Sequence, residues 1–112
     1  MSLKRETKKR VGWVGWDKFG KMMVDKVLAG LEIWCSKRTQ YGLTLAECFS
    51  ANFQGSLFSI AKGLHDWGVG DVTEKELDRF LKMPPDYYEK YNRMFKERLK
   101  KRMCEEWARE KA

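Results

Sequence analysis

The chain has 112 residues, enough for one domain with a real core and too few for two. Hydrophobic residues at 43% exclude wholesale disorder, and the longest uncharged stretch, Cys48 to Ala61, is too short and too polar to span a bilayer. Twenty-three basic residues against 16 acidic give +7, and a single histidine with three scattered cysteines leaves little material for a catalytic or metal site.

The charge is segregated. Residues 1–10 carry Lys4, Arg5, Lys8, Lys9 and Arg10 against Glu6, a net of +4. Residues 11–86 carry nine positive and ten negative side chains, a net of −1, and residues 87–112 carry nine and five, again +4. The expected organisation follows: a basic, tryptophan-containing arm over 1–16, a neutral helical body over 17–86, and a basic C-terminal helix over 87–112. The first ten residues include an acid and lack an apolar run, unlike a secretory signal.

In chain order, Asp17 is the expected N-cap of a helix running to about Arg38. Met23, Val24, Val27, Leu28, Leu31, Trp34 and Cys35 form its apolar face. Gly20 and Gly30 weaken it by about 1 kcal/mol each and allow another backbone to come close. Tyr41-Gly42 makes a turn. Thr44 and Glu47 then form a capping box, with Leu43 and Cys48 as its hydrophobic staple. One central helix is expected from there to Trp67, carrying Phe49, Phe53, Leu57, Ile60, Ala61 and Leu64. Gly68 ends it in the left-handed region, with Val69 packing back on Leu64.

Thr73 and Glu76 form a second capping box, stapled by Val72 and Leu77. Its short helix turns Leu77, Phe80 and Leu81 inward and stops near Lys82, because Pro84 restricts Met83. Pro85 suits the first turn of a last helix to about Glu110, with Tyr88, Tyr91, Phe95, Leu99 and Met103 inward. Apolar positions thin after Leu99, so this helix is expected to project. The fold class is therefore all-α: a small bundle of three main helices and one short one, with no period-two alternation.

Candidate chemistry is sparse. The offsets of Gly70, Val72, Thr73, Glu76 and Leu77 resemble the second half of a calcium loop. The ligand positions hold His65, Trp67 and Val69, so no calcium binding is expected. His65 and Asp66 are adjacent and do not face each other on a helix, and no nucleophile stands nearby in sequence. The glycine pairs lack the lysine and hydroxyl of a phosphate loop. No enzyme, cofactor, metal site or small-molecule substrate is expected. The three cysteines lack zinc spacing, and their odd number with no secretory apolar run points to a reducing, intracellular compartment. Cys35 and Cys48 can face each other across a helical hairpin, but buried free thiols are the expectation.

Interaction is the expected function. Trp13, Trp16 and Trp107 have few apolar neighbours in sequence and are candidates for partner binding. Lys4, Arg5, Lys8, Lys9, Arg10, Arg93, Lys96, Arg98, Lys100, Lys101 and Arg102 are candidates for binding nucleic acid or an acidic surface. The leading expectation is an accessory or structural subunit, or an adaptor, of a larger protein or ribonucleoprotein assembly. Its partners would be other protein subunits. The alternative is a small DNA- or RNA-binding module or regulator that uses the basic termini.

Overall fold

The computed structural model describes residues 14–111. They form five α-helices: α1 (Trp16–Arg38), α2 (Leu45–Asn52), α3 (Leu57–Asp66), α4 (Glu74–Leu81) and α5 (Pro85–Lys111). A single 3₁₀ turn over Thr39–Tyr41 follows α1, and no strand occurs among the described residues. The all-α expectation holds. No helix among these residues is long and apolar enough to cross a membrane.

The long helices α1 and α5 run parallel. Three ion pairs mark their register: Asp17 with Lys90, Asp25 with Arg98, and Glu32 with Arg102. Between them lie Phe19, Met23, Val27, Tyr91, Phe95 and Leu99, all fully buried. Burial of each such side chain contributes on the order of 1.5–3 kcal/mol. The helices α2, α3 and α4 close the remaining sides through Phe49, Leu57, Leu64 and Phe80.

Most helix ends follow local chemistry. Thr44 accepts from the Glu47 N–H while Glu47 accepts from Thr44, and Thr73 and Glu76 do the same. Gly68 adopts φ +69°, and Val69 N–H reaches back to the Leu64 carbonyl at 2.8 Å. This closes α3 with a Schellman pair of bonds. Gly42, at φ +96°, ends the turn after α1.

Other expectations need correction. Asp17 is not the cap of α1. Gly15 takes that position without a side-chain bond, and Asp17 in the first turn pairs with α5 instead. The central helix is two helices. The stretch 53–56 breaks it because Ser56 and Ser59 form a further capping box. The exposed helix ends are then bonded by α5: Lys96 donates to the Phe53 carbonyl, Asn92 accepts from Leu57 N–H at 2.8 Å, and Tyr88 hydroxyl accepts from Phe58 N–H at 3.2 Å. Leu43, expected in the staple, is exposed, and its expected partner Cys48 is bonded to Cys35. Leu81 is 69% exposed, and Met83 takes the inward place. The last helix projects less than its composition implies: Met103 and Glu106 are buried, so α5 stays docked well past Leu99.

The glycines of α1 do permit close approach. Gly30 lies against the Cα of Gly70, and Gly20 lies against the Tyr91 ring. The cysteines overturn the compartment expectation. Cys35 and Cys48 are disulfide-bonded, with Cα atoms 5.6 Å apart, and only Cys104 remains a free, exposed thiol. A bridge joining α1 to α2 is not typical of a reducing compartment. Sequence alone did not reveal this pairing, because the turn that reverses the chain between the two cysteines sets their separation.

Candidate functional site

The C-terminal end of α1 and the elbow between α2 and α3 enclose a cleft of about 240 Å³. Leu31, Ile60 and Leu64 form its apolar part, and Asn52 and Ser59 contribute polar groups. Trp34 and Trp67 stand at its edge. Their rings stack with centroids 4.4 Å apart and planes 19° from parallel. Trp34 is half-buried on α1, whereas Trp67 caps α3 and is 60% exposed. Gly68 turns the chain immediately after Trp67, and the indole is covered by Trp34 and lies close to Gly63.

Arg38 extends this aromatic face. Its guanidinium lies 5.4 Å from the centroid of Trp34 and 5.4 Å from that of Tyr41, the most exposed large apolar side chain among the described residues. Cation–π contact holds the arginine in place without neutralising it. The result is an aromatic and cationic face beside a small apolar cleft. Trp67 and Tyr41 were not among the sequence candidates. The available signal was the position of Trp67 directly before a helix-terminating glycine.

The sequence candidates have several fates. Lys4, Arg5, Lys8, Lys9, Arg10 and Trp13 lie outside the described residues. Trp16 is half-buried: it meets the edge of Phe19 at 5.9 Å, and the Arg79 guanidinium covers it at 4.2 Å. Trp107, on the last turns of α5, is 41% exposed. Arg98 pairs with Asp25 at 2.7 Å, and Arg102 reaches Glu32 and Glu106, each at 2.7 Å. Lys96 lies over the Phe53 ring and bonds its carbonyl, and burial lowers its pKa. Arg93 reaches Glu89 at 3.9 Å across an exposed turn. Lys100 and Lys101 point to solvent. Three of the six basic candidates on α5, Lys96, Arg98 and Arg102, are thus bonded to other elements of the fold.

Two buried carboxylates are paired in the same way. Burial raises the pKa of Glu76, but the Lys26 ammonium at 2.6 Å and the Thr73 N–H outweigh it and leave a net lowering. Glu106 is held below its usual range by Arg102 and, further, by Arg109. His65 Nδ1 lies 3.5 Å from the Asp66 carboxylate, whose pKa is lowered chiefly by Lys62. Comparison of the chain with protein-family models, with curated proteins and with solved structures finds no match to any of them.

Proposed function

We propose that this chain is a non-enzymatic interaction protein, an accessory subunit or adaptor that docks on another protein through the Trp34–Trp67 face. The observation that carries this reading is the exposed Trp67 indole, stacked on Trp34 beside an apolar cleft. Tryptophan next to a desolvated pocket is the usual chemistry of an interface anchor. Stacking fixes the indole beforehand, so little side-chain entropy is lost on binding. The cleft falls below the roughly 300–1,000 Å³ of small-molecule pockets, which favours one or two side chains of a protein partner over a free metabolite.

The test is comparative affinity capture from the cells that make the protein, with wild type, Trp67→Ala and Trp107→Ala. A stoichiometric protein partner retained by Trp107→Ala and lost by Trp67→Ala, with unchanged circular dichroism, is expected. Equal retention by Trp67→Ala and wild type would remove the reading.

A further inference from the structure

Trp67, Trp34, Arg38 and Tyr41 form a chain of contacts: the indoles stack at 4.4 Å, and the Arg38 guanidinium lies 5.4 Å from the ring centroids of both Trp34 and Tyr41. That guanidinium forms no hydrogen bond or ion pair among the described residues. Arg98, Arg102 and Arg109, by contrast, each hold a carboxylate. Two rings orient Arg38 while its N–H donors stay unused. Trp34 also lines the cleft, so the apolar hollow and the free guanidinium meet at one ring. None of the described residues lining the cleft is charged. Asp66, next to Trp67, is already paired with Lys62 at 3.1 Å. The Asn52 side chain, in the cleft wall, donates to the Cys48 carbonyl at 2.9 Å, which leaves its Oδ1 without a donor among the described residues.

We infer, on the premise that the Trp34–Trp67 face docks a protein, that the partner presents a short acidic segment, with an apolar side chain in the cleft and an Asp or Glu carboxylate on Arg38. A guanidinium with free N–H groups donates two parallel bonds to a carboxylate, and this charge-assisted fork is stronger than a neutral contact. One cation matches the single charge of a carboxylate, whereas phosphorylated motifs are read by clusters of arginines. A chain terminus is captured by backbone N–H groups. Those of Thr39 and Gly42, close to Arg38 in the chain, are already bonded to carbonyls. An internal Asp or Glu is therefore the source of the carboxylate. A fatty acid also joins an apolar part to a carboxylate, but a cleft of about 240 Å³ suits one or two side chains rather than an acyl chain. Asn52 Oδ1 further suits a main-chain N–H, which a peptide has and a fatty acid lacks.

The experiment selects a phage-displayed library of short random peptides on the full chain with its disulfide intact. Each peptide is fused through its C-terminus, so only side-chain carboxylates are offered. Enriched sequences should carry an apolar residue within a few positions of Asp or Glu. The best of them, made as a fluorescent peptide with an amidated C-terminus, should bind Arg38→Gln about tenfold more weakly than wild type, as for one charge-assisted bond. Replacing the acid of the peptide by its amide should cost the same factor and tests the contact in the unaltered protein. Both changes together should cost no more than either alone, since they remove one contact. Trp67→Ala should abolish binding. Lys18→Gln, exposed and about 30 Å away along α1, should leave it unchanged. Thermal melting identifies any variant that unfolds. Enriched peptides that need Trp67 but show no acidic preference, or that bind Arg38→Gln as tightly as wild type, would overturn the inference and leave the docking face standing. Tighter binding when phosphoserine replaces the acid would overturn it in favour of a phosphopeptide. A selection that yields no peptide dependent on Trp67 would overturn both.

Discussion

The ring of Tyr91 packs directly on the backbone of α1 at Gly20, while its hydroxyl donates to the Asp17 carboxylate one turn earlier. The one side chain thus joins the two parallel helices by packing and by a hydrogen bond. Burial raises the pKa of the Tyr91 hydroxyl, with Asp17 adding to the effect. Asp17 in turn is held low by that hydroxyl and then by Lys90.

Gly20→Ala should destabilise the protein although alanine is the better helix former. A Cβ at this position would lie 2.6 Å from Tyr91 Cγ, and Tyr91 is fully buried with no room to withdraw. The helix-propensity gain of about 1 kcal/mol is outweighed by overpacking, for a net loss of about 1–3 kcal/mol. Urea unfolding checks this. A variant as stable as wild type would show that the helices separate without cost.

Thiol counting tests the bridge. The native chain should present one reactive thiol, Cys104, and three after reduction in denaturant. Cys35→Ala/Cys48→Ala should lower stability by about 2–4 kcal/mol, since the bridge closes a loop with a sequence separation of 13. Three reactive thiols in the denatured, unreduced protein would refute the bond.

Asn92→Ala addresses the elbow between α2 and α3. It removes the acceptor of the Leu57 N–H at the start of α3. The expected loss is about 1 kcal/mol. Amide exchange should accelerate at Leu57 and Phe58 more than in α4. Uniform acceleration would mean that the elbow opens only with the whole fold.

Acid should weaken the fold through its paired carboxylates. Glu76 and Glu106 have folded-state pKa values lowered from 4.5, so the stability they contribute is present above that value. It is lost as pH falls through their folded values, where the native state must take up protons. Glu76→Gln/Glu106→Gln should be less stable near neutrality and should lose less on acidification below about 4.5. Urea midpoints across that range provide the measurement, and parallel curves for variant and wild type would sink the assignment.

What was legible in the sequence is what hydrogen-bond chemistry decides within a few residues. The capping boxes at Thr44 and Thr73, the left-handed Gly68 with Val69 folding back, and Pro85 in the first turn of α5 all stand as read. The inward faces of α1 and α5 were equally legible, because a 3.6-residue period shows which positions share a side. The Ser56–Ser59 box that breaks the central helix obeys the same local rule. It was hidden by an apolar stripe that runs across the break, and its bonds to Asn92 and Tyr88 come from a distant helix.

Only the tertiary structure decided the surfaces. Arg98 and Arg102 look like a free basic run until α1 brings Asp25 and Glu32 against them from about 70 positions away. Trp16 looks available until Arg79 covers it, and the 60% exposure of Trp67 at the end of α3 is visible only in the fold. The sequence by itself determined where helices start, where most of them stop and which side of each is apolar, since these depend on near neighbours. The pairing of Cys35 with Cys48 and the identity of the unpaired cations depend on how the helices are brought together. Periodicity within one helix carries no information about that.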